Sequence, residues 1–277
     1  MTMPASIPAG LTVTTVAHRT FGAGPTRFDP SIDRVFFSDQ TRSGGIALRH
    51  DVLDTARGNR FEDMGAELLA ELGELPEIDL LLLAYSTPDL LGMTAAGPML
   101  GARLSGHTRI LAVTDQGRSA PFSVLALAQS YQRRHGFRHV LVMAFDQSVL
   151  PYESPRSGSW SAAGDAATAL LLEQDSSGDG YRVRQRCGLE PGEVADRLAE
   201  LIAELDPAGT ALLAIGSEVD PAWVPAASRR APAGYPCTAL LGCLAEGTPM
   251  RDRPVLLVEY EPAQGDVSAC RIEPVAA

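Results

Sequence analysis

The sequence predicts an α/β fold with a largely parallel sheet, and two recurring patterns carry that expectation. Short aliphatic runs bounded by turn residues recur along the chain, and most are continuously apolar, as strands covered on both faces are. Between them lie segments whose apolar residues return every three or four positions, the spacing of a helix with one buried face. Strands alternating with helices favour parallel pairing through helical crossovers. With 277 residues and 45% hydrophobic content the chain can bury a large core, so a single domain over 1–277 is expected.

In chain order, a helix is expected at 61–72, and a strand at 79–85 that is apolar after Asp79. A helix at 94–104, a strand at 109–114, a longer helix at 122–132 and a strand at 139–145 follow by the same two spacings. A strand at 167–173, holding three consecutive leucines, closes this half. The polar, turn-rich stretch 174–180 reads as a link between an N-terminal half, 1–174, and a reduced C-terminal half, 180–277. From Tyr181 the order strand, helix, strand, helix, strand, strand returns, with helices at 194–205 and 238–244 and strands at 211–215 and 255–260, as in a shortened copy of the first half.

Composition excludes several functions. The formal net charge of −11 leaves no surplus of cations to neutralise phosphates, so no nucleic-acid partner is expected. All 23 basic residues other than histidine are Arg, so there is no lysine to form a Schiff base or to serve a phosphate-binding loop. Gly22, Gly24 and Pro25 do not follow a strand and precede a helix, as a dinucleotide loop requires. The apolar run 78–85 is far shorter than the roughly 20 residues a membrane helix needs, and 1–20 lacks a secretory pattern, so a cytoplasmic protein with no membrane partner is expected. Cys187, Cys237, Cys243 and Cys270 have no metal-like spacing and read as reduced core thiols, with no metal and no cofactor expected. Cys237 and Cys243 in particular fall on well-separated faces of a short helix.

Three segments carry a family resemblance. Ala84-Tyr85-Ser86-Thr87-Pro88-Asp89 ends a strand and precedes a helix with Ala95 and Ala96 in its early part. The strand at 109–114, a helix ending near Arg134, His135 and Gly136, and the strand at 140–143 followed by Asp146 come next. Gly164, Asp165, Ala166, Ala167, Thr168 and Ala169 then lead into the leucines. In this order and spacing, 78–173 resembles the N-terminal half of β-ketoacyl-acyl-carrier-protein synthase III, in the thiolase superfamily. The resemblance implies a thiolase-like layered αβαβα fold with a shortened second half.

It also implies a Cys-His-Asn set, with the cysteine acylated at a helix N-terminus. Such chemistry needs a thiolate stabilised by the helix dipole and donors aimed at a developing oxyanion. No cysteine precedes Cys187, the second half has no histidine, and Asn59 is the sole asparagine. Where the resemblance would place His and Asn stand Gly216-Ser217-Glu218 and Tyr235-Pro236-Cys237. Counting back from Val140 puts Arg118 at the cysteine position, and a one-residue gap puts Ser119 there. Decarboxylative condensation by this chain alone is therefore not expected.

Ser119 is the candidate nucleophile, yet a serine requires an adjacent base, and Ser119-Ala120-Pro121 also fits a helix cap with proline in the first turn. The cap is the favoured reading. Arg118 at the elbow either binds an anionic group or plugs the emptied site by pairing with Asp115 or Glu218. Arg133, Arg134, His135, Arg138 and His139 fit a helix C-terminus that attracts cations, a reading preferred over a carrier-protein dock.

The resemblance further implies a dimer. A silent scaffold of this kind looks like the non-catalytic subunit of two-subunit, alkylquinolone-type synthases, and Thr114-Asp115 at the elbow is similar to chain-length factors. In that reading the partner is a catalytic β-ketoacyl-synthase-like subunit, which receives acyl carrier protein or acyl-CoA. Val140, Leu141, Val142 and Met143 would pair across the dimer, and Leu90, Leu91 and Met93 would line the partner's acyl tunnel. The alternatives are a Ser119-dependent acyltransferase and an acyl-binding protein without an enzyme partner.

Overall fold

The computed structural model describes residues 10–92, 95–104, 106–153, 160–175, 180–225, 229–245 and 252–274. Two five-stranded sheets form its frame. The first contains β1 (Gly10–Phe21), β4 (Leu80–Tyr85), β5 (Arg109–Val113), β6 (His139–Asp146) and β7 (Asp165–Asp175), in the order β1-β7-β6-β4-β5. The second contains β8 (Tyr181–Arg186), β9 (Leu212–Ile215), β10 (Arg229–Arg230), β11 (Val255–Glu261) and β12 (Asp266–Ile272), in the order β8-β12-β11-β9-β10. Each sheet places its first strand at one edge, antiparallel to its last, and its three middle strands parallel. The two sheets thus share one topology.

This corrects the expected, largely parallel sheet. Only strands joined by helical crossovers run parallel, and β7 returns beside β6 with opposite direction. The edge strand β1 lay outside the sequence expectations. Its Leu11-Thr12-Val13-Thr14-Thr15-Val16, buried over Leu11–Val13 and partly exposed beyond, is rich in β-branched residues, which suit a pleated strand.

Alternation along the strands divides the core into layers. Leu81, Leu83, Leu141 and Met143 face outward onto α3 (Phe61–Leu72) and α4 (Ala96–Gly101), packing with Phe61, Met64, Leu68 and Leu100. Leu80, Leu82, Val140 and Val142 face inward onto α5 (Ala120–His135), which meets Val183, Leu257 and Cys270 of the second sheet. The opposite face of that sheet packs Leu213, Leu256 and Val258 against α6 (Val194–Leu205) through Val194, Leu198, Leu201 and Leu205. With the short α7 (Ala239–Gly242) in the middle layer, the result is α, β, α, β, α. A smaller annex holds α1 (Asp33–Arg42), α2 (His50–Thr55) and the two-stranded ribbon of β2 (Thr26–Arg27) and β3 (Arg57–Gly58).

The expected helices recur, and the one expected at 122–132 extends to Ala120–His135 as α5. Those at 61–72 and 194–205 keep both ends, whereas α4 and α7 are shorter because Pro98, Gly101 and Gly242 give them little helical propensity. Part of the polar link, 176–179, lies outside the described residues. No helix among the described residues is long and apolar enough to cross a membrane.

Candidate functional site

The C-terminal ends of the parallel strands in both sheets converge where α5 begins. A 3-10 turn, Gly117–Ser119, leads directly into α5, after Asp115 at φ 60° and Gly117 at φ 50°. Glycine is required at 117 by space as well as by φ, since a Cβ there would lie 2.1 Å from Oε2 of Glu261. Pro121 falls in the first turn, where its missing N–H costs nothing.

Arg118 and Ser119 are 4% and 2% exposed. The Arg118 guanidinium pairs with Glu218 at 3.3 Å, while its backbone N–H donates to Glu261 at 2.9 Å. The Glu261 carboxylate thereby occupies the helix N-terminus, where the macrodipole favours an anion. The expected Ser119 cap is not formed: its hydroxyl makes no capping bond and has no hydrogen-bond partner, because Glu261 takes that role and the 3-10 turn gives Ser119 helical angles. Of the two expected partners of Arg118, Glu218 pairs with it, whereas exposed Asp115 does not.

Further buried acids surround this arginine. Asp146, at the end of β6, accepts bonds from the backbone N–H groups of Cys237 (3.1 Å) and Thr238 (2.9 Å) and from the Thr238 hydroxyl (2.7 Å). Burial pushes its carboxyl up to about 6, against the pull of those bonds and of Arg118. Glu259, in β11, is driven further, to about 8, by burial that the Arg118 charge offsets only partly. Its carboxylate presses on Gly216, where a Cβ would lie 1.9 Å away. The segment where the resemblance would place a histidine, Gly216-Ser217-Glu218, thus offers a bare backbone and the partly exposed carboxylate Glu218.

Cys237 joins this group from the other half of the chain, its thiol donating to the Gly117 carbonyl at 3.5 Å. Burial first, and then the Asp146 charge, raise its pKa well above the ordinary thiol value, so it carries no thiolate at neutral pH. The four cysteines are free, and no cluster able to hold a metal ion occurs among the described residues. Sequence reasoning missed Asp146, Glu259, Glu261 and Cys237 as a group. The available signal was the pair Glu259 and Glu261 closing an otherwise apolar strand. Asn59 serves elsewhere, bonding Asp165 through its backbone (3.0 Å) and side-chain amide (2.9 Å). Ser148 holds the other oxygen of that carboxylate, which fixes the Gly164-Asp165 turn into β7.

The tunnel and interface residues are placed differently from expectation. Val140, Leu141, Val142 and Met143 are fully buried and hydrogen-bonded to β4 on one side and β7 on the other, so β6 has no free edge for a partner strand. The edges of that sheet are β1 and β5, and in β5 Ile110, Leu111 and Val113 are partly exposed. Leu90 is 1% exposed and packs with Phe28, Phe37, Val52 and Leu53 of its own annex. Leu91 packs at the margin of that cluster, and Met93 lies outside the described residues. Arg133, Arg134 and His135 do fill the last turn of α5, before Gly136 in the left-handed conformation.

No family profile matches the sequence. No curated protein matches it either. Solved structures do match, over nearly their full lengths. ChlB3, described as an acyltransferase, superposes with a TM-score of 0.64 at 15% identity, over 96% of this chain and 98% of its own. AbyA1, a tetronic acid condensing enzyme, gives 0.62 at 19% identity, over 95% and 99%. The 3-oxoacyl-(acyl carrier protein) synthase III of Pseudomonas aeruginosa PAO1 gives 0.59 at 14%, over 97% and 99%. The chain has the thiolase-like fold of synthase III-type condensing enzymes.

Proposed function

We propose that this chain is the non-catalytic subunit of a synthase III-like acyl-condensing pair, shaping and stabilising a catalytic partner. The observation that carries the reading is the filled elbow: Arg118 and Glu261 occupy the helix start where a condensing enzyme needs a thiolate and open space. A buried ion cluster of this kind excludes an acyl thioester as a wall does. Two of the structural neighbours are described as an acyltransferase and a 3-oxoacyl-(acyl carrier protein) synthase III, which favours acyl chemistry for the assembled pair. The partner's strand is assigned to β5, whose apolar, partly exposed edge is prone to pairing when left uncovered.

A Ser119-dependent acyltransferase is the second reading, favoured by one observation, the buried and unpartnered Ser119 hydroxyl. One experiment decides between them. The purified chain is incubated with an acyl-CoA and examined by intact mass, then co-expressed with a synthase III-like enzyme that carries an intact Cys-His-Asn set. The first reading expects no adduct on the chain alone and a stable complex with the synthase. An acyl adduct lost on Ser119→Ala establishes the second reading, and a monodisperse chain indifferent to the synthase sinks the first.

A further inference from the structure

The far end of α5 carries a cluster of arginines. The helix runs 16 residues away from the elbow, about 24 Å, to the turn that leads into β6. Arg133, Arg134 and, past Gly136, Arg138 are exposed there. Many arginines elsewhere are held by acids, as Arg34 is by Asp54, Arg184 by Glu204 and Arg197 by Glu200. These three make no ion pair among the described residues: the Arg133 guanidinium donates to the Ser130 hydroxyl at 3.4 Å. Asp79 reaches the same turn, but its Oδ2 is taken by the backbone N–H groups of Arg138 (2.7 Å) and His139 (3.0 Å). An uncompensated positive patch thus stands on a chain of net charge −11.

Three rings lie among these cations. Tyr131 and His135 are four residues apart on α5, a spacing that brings side chains together, and their rings lie 5.4 Å apart. After Gly136, at φ 68°, Phe137 folds back onto both, stacked 5.3 Å from His135 and 6.0 Å from Tyr131. His135 is exposed, and the other two are half-buried. Arg109 lies over the Phe137 ring at 5.3 Å, but it opens β5 and belongs to the edge given to the partner. The helix dipole accounts for cations in the last turn of α5. It accounts neither for Arg138 beyond that turn nor for the ring stack. Arginine around preorganised aromatic rings is the composition of protein-binding surfaces. Nucleic acid or an anionic bilayer presents charge over a wider area than this cluster and would meet the acidic remainder of the chain.

We propose that this end of α5 docks an acidic protein segment, its carboxylates on Arg133, Arg134 and Arg138 and its apolar atoms on the Tyr131, His135 and Phe137 rings. The surface is separate from the elbow and from the β5 edge, so it stands whatever becomes of the partner reading. Fluorescence anisotropy of a labelled polyglutamate peptide titrated with the full chain tests it. Binding is expected, weakening as salt is raised. Arg134→Glu combined with Arg138→Glu is expected to weaken it at least about tenfold, with the melting temperature unchanged because neither side chain is paired. Arg134→Lys combined with Arg138→Lys keeps the charge and most of the binding. Arg42→Glu combined with Arg197→Glu, exposed positions on α1 and α6, changes net charge equally and is expected to weaken binding less than about twofold. The proposal is overturned if polyglutamate does not bind, or if the two charge-reversed pairs weaken it equally. Tighter binding of phosphatidylserine vesicles or duplex DNA than of polyglutamate through Arg134 and Arg138 overturns it as well.

Discussion

At the residue scale the decisive position is Arg118. The sequence placed Arg118 and Ser119 one residue apart at the elbow, but no local rule says which side chain turns inward or what meets it. The structure surrounds Arg118 with Asp146, Glu259 and Glu261, each 3% exposed or less, and removing the one cation among them leaves buried carboxylates uncompensated. Arg118→Met is therefore expected to destabilise the chain by about 3–5 kcal/mol, read by chemical denaturation. The pH dependence has a definite sign. Glu259 holds its proton up to about pH 8 when folded but releases it near the ordinary value of 4.5 when unfolded. The folded state thus binds more protons across that window, and stability falls as pH rises through it. Denaturation midpoints measured from pH 5 to 8 should show a shallower decline in Glu259→Gln than in the unchanged chain.

At the element scale, strands were legible as strands but not as neighbours. The run at 139–145 is as apolar as that at 79–85, and nothing within either says that β6 sits between two strands while β5 forms the rim. Pairing is a long-range property, set by how crossovers lay one strand beside another. Leu90 illustrates the same point, since an apolar residue in a loop fits a partner's tunnel or its own annex equally well until α1 and α2 are in place. A charge on the rim tests the revised interface. Ala112→Lys, at an exposed position of β5, is expected to leave folding intact and to reduce recovery of the complex with a co-expressed synthase by at least about tenfold; unchanged recovery in a pull-down would remove β5 from the interface.

At the scale of the whole molecule, the two sheets share one topology and one middle layer. Tyr181 of β8 donates to the Leu125 carbonyl inside α5 at 2.7 Å, and Val183, Leu257 and Cys270 close the inner core from the second sheet. A fragment of residues 1–174 would expose that apolar layer to water. It is expected to aggregate or to lack the near-ultraviolet circular dichroism of the full chain, and a cooperative, well-packed fragment would show instead that the first half is a domain of its own.

The sequence by itself determined the elements and the chemistry that is missing. Apolar spacing marks buried strands and helix faces without reference to the rest of the chain, and a residue absent from a segment is absent in any fold. That is why the lack of a cysteine before 187 and of a histidine after 139 was readable at once. Only the tertiary structure decided what replaces the lost set and which strands form the edges of the sheet. Those features join residues as far apart as Gly117 and Glu261, and their energies come from desolvation and charge that exist only once both partners are buried together.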